Sequence, residues 1–261
     1  MLGINSWTSS QSSCAAARVS VSPPLSTPER PKQFLPLAQG EMLFVQTCNR
    51  VRRLLPNKQL HIVTTLALEP LAQCYAPADA CFLIEPLRRN TAAAVALAAR
   101  HAKPDDILWI MPCDHLIEDE AALSQALRRA YTLAAQGFIA LLGIKPDFAH
   151  TGYGYIFSGP DGGTVHHFTE KPDKSLASRY LQSGDYWWNS GMIIARADIL
   201  LREFALHAPV FVNGTPYEAL PSLPVDTVIL EKTKRAMLVP ADMGWQDIGG
   251  GDSIDLFKKT G

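Results

Sequence analysis

The sequence predicts an α/β fold: a mixed, mostly parallel sheet with helices on both faces. Two observations carry this. From about residue 42 to residue 144, short apolar runs alternate with segments of helical length. One run, Ile107-Leu108-Trp109-Ile110-Met111, is apolar at every position, the pattern of a strand buried on both faces. Pro112 cannot donate to a sheet ladder and ends the run, and Asp114-His115 follow at once. In open α/β sheets, ligands sit outside the carboxyl ends of the strands. Asp114 and His115 therefore stand where a ligand or a metal is expected.

Composition narrows the function classes. With 261 residues, 47% hydrophobic and 19% charged, the chain has an ordinary globular balance and the length of one large domain or two small ones. The net charge is −1 and no long basic block occurs, which argues against nucleic acid as a partner. No apolar run approaches the ~18 residues of a membrane span, and no secretory leader is visible, so no membrane partner is expected. Cys14, Cys48, Cys74, Cys81 and Cys113 are odd in number and form no CxxC pair. They read as reduced, mostly buried thiols of a cytoplasmic protein.

Taken in order, residues 1–27 are rich in serine and proline, lack an apolar period, and read as disordered or aberrant. A domain over 28–261 follows. Met42 to Leu55 is a helix stopped by Pro56, His61 to Thr65 a strand, and Leu66 to Tyr75 a helix weakened by Pro70. Cys81 to Ile84 is a buried strand. Asn90-Thr91 can cap an alanine-rich helix running to about His101. An amphipathic helix spans roughly Asp119 to Gln136, and Phe138 to Ile144 is a strand. After Gly152 the rhythm changes. Gly154 to Phe157 and Val165 to Thr169 are strands around an Asp161-Gly162-Gly163 turn. Lys174 to Ser183 is a helix ended by Gly184, Gly191 to Ala195 a strand, and Ala197 to His207 a helix. Residues 209–224 are proline-rich and irregular. Val225 to Lys232 is a short helix, Ala236 to Val239 a strand, and Gly244 to Asp247 a loop.

Six stretches could carry chemistry. Glu85-Pro86-Leu87-Arg88-Arg89-Asn90-Thr91-Ala92 runs from a strand tip into a helix N-terminus, where backbone N–H groups favour anions and Glu85 could accept from a base N–H. An ordinary capped loop explains it too. In Pro112-Cys113-Asp114-His115 the carboxylate suits a hard cation such as Mg²⁺, or simply caps a helix. Thr151-Gly152-Tyr153-Gly154-Tyr155-Ile156 lets backbone approach a ligand, or makes a tight turn. Phe168-Thr169-Glu170-Lys171-Pro172-Asp173 offers a carboxylate and an ammonium for sugar hydroxyls and a phosphate, or a surface ion pair. Trp187-Trp188-Asn189-Ser190-Gly191-Met192 presents the Asn189 amide, or an aromatic packing corner. Gly244-Trp245-Gln246-Asp247-Ile248-Gly249 supplies a second carboxylate. Asp114 and Asp247 together could hold one Mg²⁺.

In this order, and with Pro31-Lys32-Gln33-Phe34 ahead of them, these stretches resemble the mannose-1-phosphate guanylyltransferase family of sugar-nucleotide pyrophosphorylases. The resemblance covers about residues 28–250. It implies a Rossmann-like nucleotide-diphospho-sugar transferase fold. The implied reaction joins mannose 1-phosphate to GTP, with Mg²⁺, giving GDP-mannose for polysaccharide biosynthesis and pyrophosphate. It implies that Lys32 contacts phosphate and that Glu85, Asn90 and Thr91 line the guanosine pocket. Asp114 and Asp247 would hold Mg²⁺, with Asp114 also serving the nucleotide. Gly154, Glu170, Lys171 and Asn189 would position the mannosyl phosphate, with Asp226 and Glu231-Lys232 flanking the sugar. Lys32, Asp114, Lys171 and Asp247 would be the catalytic set. No C-terminal isomerase or β-helix domain is expected, and a homodimer is compatible.

One departure is large. The family opens on a strand and the loop Gly-Gly-x-Gly-x-Arg-Leu-x-Pro-Leu-Ser, whereas Cys14 to Pro23 contain no glycine. Without glycine the backbone cannot wrap a triphosphate in the same way. A reading-frame shift in the gene would account for this. Taking the third base of each codon with the first two of the next, Ser10 to Pro23 can encode Pro-Val-Ile-Leu-Cys-Gly-Gly-Thr-Gly-Leu-Arg-Leu-Ser-Pro, a buried strand and the missing loop. The nucleotide sequence tests this directly. As written, the chain also fits a catalytically impaired or regulatory relative that binds nucleotide sugar.

Overall fold

The computed structural model describes residues 4–9, 27, 30–37 and 40–248, the first of these segments by its main chain. The glycine-loop departure at 14–23 lies outside the described residues.

The sheet forms as the alternation predicts. Strands β1 (Ile4–Ser9), β2 (Leu60–Thr65), β3 (Cys81–Glu85) and β4 (Ile107–Pro112) run parallel in the order β3-β2-β1-β4. Helices α1 (Leu43–Leu54), α2 (Glu69–Tyr75) and α3 (Asn90–His101) connect them. After β4 come the short β5 (His115–Leu116), α4 (Glu120–Ala135) and β6 (Ile139–Ile144). Then follow β7 (Tyr155–Phe157), β8 (Gly163–Thr164), β9 (His167–Thr169), α5 (Lys174–Ser183), β10 (Tyr186–Arg196) and α6 (Ala197–His207). The last elements are β11 (Ala236–Pro240) and β12 (Gln246–Asp247). Beyond β4 the sheet continues β10-β6-β11-β8, with β10 antiparallel to both β4 and β6 and β11 parallel to β6. Strands β7 and β9 extend from β10 as an antiparallel flap, and β5 pairs with β12 in a separate ribbon.

The apolar run of β4 shows why both faces must be covered. Side chains alternate across a strand. Leu108 and Ile110 enter one core with α3 and α6, whereas Ile107, Trp109 and Met111 enter the other with α1, α4 and α5. In α3, Ala92, Ala93, Ala96 and Ala99 are all buried; side chains this small let the helix lie close against the sheet. Helix α4 starts at Asp119, whose side chain accepts from the Ala122 N–H, and α5 starts at Asp173, which accepts from Leu176. Gly184 ends α5 in the left-handed region.

Four expectations are corrected. The N-terminal segment does not lack the first strand, because the main chain of 4–9 pairs in register between β2 and β4; hydrogen bonding from two neighbours overrides its polar composition. The strand predicted over Gly191–Ala195 begins at Tyr186, since Trp187 and Trp188 pack on the pleated sheet rather than turn a corner. The helix predicted over Val225–Lys232 is a π-type turn, Asp226–Leu230. Gly244–Asp247 is not wholly a loop, because Gln246 and Asp247 pair with Leu116 and His115. No helix among the described residues is long and apolar enough to cross a membrane, and the described cysteines, Cys48, Cys74, Cys81 and Cys113, are free thiols.

Candidate active site

The reversal of strand order puts a crevice beside β4. Chain connections run one way from β1 to β2 and β3 and then cross to β4 on the other side, so the carboxyl ends of β1 and β4 flank the switch point. Asp114 lies there, two residues past Pro112. The β5–β12 ribbon sets Asp247 opposite His115 and so brings the second carboxylate beside the first. Gly244 makes the approach to this ribbon possible. Its φ is +61°, and a Cβ there would stand 2.7 Å from the Glu118 Cβ.

Lys32 completes this centre. It begins a 3₁₀ turn anchored by Phe34, which is fully buried and packs on Phe44 at 4.8 Å between ring centroids. Its Nζ lies 3.1 Å from Asp114 Oδ2 and 2.7 Å from Asp247 Oδ1. Burial by itself would depress the Lys32 pKa, but the Asp114 and Asp247 charges outweigh it and hold it above the ordinary value. Burial would raise the Asp247 carboxyl, but the Lys32 charge and its hydrogen bond oppose that, and the carboxyl lies below its ordinary value. Two carboxylates therefore converge on one cation. That donor set suits a divalent ion bound by one or two carboxylates, with the remaining positions left to water and substrate phosphate. Among the described residues, no group of three or more His, Cys, Asp or Glu is placed to hold a metal ion, so the two carboxylates are the protein's share of such a site. Cys113, next to Asp114, is a core thiol pushed well above its ordinary pKa by burial, so it is no nucleophile.

A second cluster gathers six of the predicted sugar-phosphate residues. Asn189 Nδ2 donates to Asp226 Oδ1 at 2.8 Å, and Asn189 Oδ1 accepts from the Gly191 N–H at 3.1 Å. A register shift in β10 between Asn189 and Ile193 turns the amide out of the ladder. Lys171 Nζ is 3.3 Å from Glu170 Oε1, and Lys171 itself has φ +47°, a strained conformation of the kind found at binding sites. The Glu170 N–H donates to Glu231 Oε1 at 3.3 Å. Gly154 is the residue that allows the approach. A Cβ there would stand 2.9 Å from both Glu170 Oε2 and Phe168 Cζ. Burial and the nearby Glu170 charge push the Asp226 pKa up to about 7, and burial also raises Glu170, with Lys171 opposing. Lys232 is exposed just past the turn.

Glu85, Asn90 and Thr91 form a third group at the tip of β3. Glu85 is fully buried and accepts from the Tyr217 hydroxyl, whose pKa is raised by burial and then by the Glu85 charge. Asn90 has φ +64°, and its Oδ1 accepts from the Thr91 N–H at 2.7 Å. The expectation of open N–H groups at the start of α3 is corrected here. The Ala92 N–H donates to the Leu223 carbonyl at 3.1 Å, and Thr91 Oγ1 accepts from the Val225 N–H at 2.8 Å. Arg89 also donates to the Glu218 carbonyl. The proline-rich segment straps this helix end and takes up its Ala92 N–H, while Asn90 takes up that of Thr91.

Sequence reasoning missed three residues. Tyr217 sits in a stretch with no period to announce it. Tyr153, whose pKa is pushed up to about 12 by burial and then by Asp247, packs against Trp245 and stacks on His150. Trp245 donates its Nε1–H to His115 Nδ1 at 3.0 Å. Its place two residues before Asp247 was the only signal.

Comparison with known proteins agrees with this geometry. Residues 23–259 match the family described as nucleotidyl transferase. The alginate biosynthesis protein AlgA of Pseudomonas aeruginosa is 36% identical over 90% of the chain and 56% of its own length. A mannose-1-phosphate guanylyltransferase of Salmonella muenchen is 33% identical over 90% and 57%. The chain thus spans about half the length of these curated relatives. A Thermus thermophilus structure described as a mannose-1-phosphate geranyltransferase superposes with TM-score 0.82 at 29% identity, covering 95% of this chain and 76% of that one. A structure described as mannose-6-phosphate isomerase from Helicobacter pylori gives 0.81 at 28%, covering 94% and 100%. With the strand order, the paired carboxylates and the match over nearly its whole length in agreement, the chain belongs to the nucleotidyl transferase family.

Proposed function

We propose that this chain carries the GTP:mannose-1-phosphate guanylyltransferase reaction: the mannosyl phosphate attacks the α-phosphorus of GTP, and pyrophosphate leaves. The observation that carries the reading is the pair Asp114–Asp247, closed on the Lys32 ammonium just past the carboxyl end of β4. A nucleotide laid along the carboxyl ends of the parallel strands would set its base at Glu85 on β3 and its phosphates near β4. Three strand spacings of ~4.8 Å separate these strands, about 14 Å in all. A carboxylate at the base end suits guanine, which presents two adjacent N–H donors. The acid-rich cluster of Glu170, Asp226 and Glu231, with Asn189, suits sugar hydroxyls, and Lys171 suits the attached phosphate.

The reaction needs positioning and charge neutralisation more than a base, since the attacking phosphate is already an anion. Mg²⁺ at Asp114 and Asp247 would supply charge neutralisation at the transferring phosphate. Lys32 begins between the carboxylates and can turn its ammonium to the phosphates. Lys171 holds the nucleophile, and Asn189 with Asp226 fixes the sugar that carries it.

A second reading rests on the sequence from Cys14 to Pro23, where the glycines of the phosphate loop are lacking. On that reading the chain binds nucleotide sugar without turning over. One assay separates the two. The chain and a version with the glycine loop restored are incubated with GTP, mannose 1-phosphate and Mg²⁺, and pyrophosphate release is measured. Turnover in either form supports guanylyl transfer at this site, and turnover in the restored form alone also supports the frame shift. No turnover in either, with nucleotide sugar still bound, would favour the inert relative. In an active form, Asp114→Asn should lower kcat about 100-fold or more; a near-normal rate would remove Asp114 from the reaction.

A further inference from the structure

The two carboxylate-bearing stretches also meet through a contact that the proposed reaction leaves unexplained. Trp245 Nε1 lies 3.0 Å from His115 Nδ1, with the rings 5.1 Å apart and crossed at 82°. Both residues are buried, and Tyr153 packs edge-on against Trp245 at 5.2 Å, so the indole cannot swing away. An indole N–H is only ever a donor, so His115 Nδ1 must present a lone pair. A neutral imidazole bonded in this way carries its single proton on Nε2. That nitrogen faces Asp114, 3.7 Å from Oδ1, while Asp114 Oδ2 faces the Lys32 ammonium. At 3.7 Å the contact is longer than a hydrogen bond. It aims an N–H dipole at the carboxylate. In the other tautomer a lone pair would face the same carboxylate and repel it.

We propose that Trp245 and His115 are positioning residues for Asp114. Trp245 excludes the Nδ1–H tautomer and fixes the ring, and the dipole of the His115 Nε2–H favours the orientation of Asp114 with Oδ2 turned to the cation site. The proposal rests on the reading of Asp114 as a metal ligand. It explains why the tryptophan two residues before Asp247 touches the histidine that follows Asp114. Their backbones already pair through Asp247 and His115, and the indole adds the side-chain half of the same clamp. Groups that orient a metal's carboxylate or histidine ligands typically change metal affinity about 10–100-fold when removed.

The test begins with the unsubstituted, metal-free full-length protein. Long-range ¹H–¹⁵N spectra report the tautomer of each histidine, with His115 assigned by its loss in His115→Gln. A Nε2–H tautomer is expected, giving way to a mixture in Trp245→Phe; a Nδ1–H tautomer in the unsubstituted protein overturns the proposal. Mn²⁺ affinity, read by electron paramagnetic resonance, then tests the consequence. The longer Gln amide can place a donor where Nε2 stood, so His115→Gln should stay within about threefold of the parent. The shorter Asn amide ends near Nδ1, so His115→Asn should lose about tenfold or more. Equal loss in both variants, with unchanged melting temperatures, would overturn the positioning role. Failure of the parent to bind Mn²⁺ would overturn the metal reading of Asp114 and the role built on it, whereas the tautomer measurement needs no metal.

Discussion

Lys32→Met removes one positive charge from between two carboxylates and keeps most of the aliphatic stem. The side chains of Lys32, Asp114 and Asp247 are 13%, 7% and 32% exposed, and the ammonium contacts both acids. Stripping the counter-ion from a buried pair costs about 3–5 kcal/mol, because a desolvated charge is left uncompensated. Asp247 is close to one-third exposed and is screened accordingly, which brings the expected loss to roughly 2–3 kcal/mol. A divalent ion should reverse it. A ligand at 100 times its dissociation constant stabilises by about 2.7 kcal/mol, and in Lys32→Met the ion has no ammonium to displace. Urea denaturation with and without Mg²⁺ measures both effects. The variant should lose stability without Mg²⁺, and Mg²⁺ should raise its midpoint more than it raises that of the parent. The pH dependence has a definite sign. The Lys32 pKa is raised in the fold, so its contribution is whole below about 10.4 and fades only as pH climbs through the folded value. The Asp247 carboxyl is lowered, so its contribution holds above about 3.9 and fades as pH falls through the folded value. The gap between parent and variant should therefore stay flat across neutral pH. A Lys32→Met protein as stable as the parent in metal-free buffer, or an equal Mg²⁺ shift in both, would refute this account.

Asp226→Asn should flatten the pH dependence of stability between about pH 4 and 7. The folded state holds a proton on Asp226 up to about pH 7, so the parent loses stability as pH rises through that window. Near pH 7 the variant should be more stable on the order of 2 kcal/mol, and chemical denaturation at pH 4 and 7 checks this. Gly154→Ala should push Glu170 and Phe168 off their positions, costing about 1–3 kcal/mol and raising KM for the sugar phosphate more than KM for the nucleotide. Tyr217→Phe removes the donor to the buried Glu85 and should destabilise by about 1–3 kcal/mol. It should also alter discrimination between GTP and ATP, as competition binding would reveal; unchanged discrimination would free Glu85 from base reading.

Much of the fold could be read from the chain because its signals are local. A run apolar at every position, as in Ile107–Met111, has to be a strand covered on both sides. The stretch Lys174–Ser183 closes on Gly184 because only a residue at ease with positive φ ends a helix that way. The resemblance named the site residues, and the fold gathers most of them into three groups. What escaped was non-local. Nothing near residue 217 signals a hydroxyl that reaches back to Glu85, and Gln246-Asp247 is too short to read as a strand until β5 stands opposite it. The main chain of 4–9 pairs by virtue of its neighbours' open edges, which its own serine-rich composition does not reveal.

By itself the sequence determined the α/β class, the order of the elements and the kinds of side chain at each strand tip, because periodicity, proline and glycine act within a few residues. Only the tertiary structure decided which tips meet. Asp114 and Asp247 are far apart in the chain, and the β5–β12 ribbon, Lys32 and the Trp245–His115 contact join them. Desolvated charges need partners, and in a folded chain those partners are supplied across the sheet rather than along the sequence.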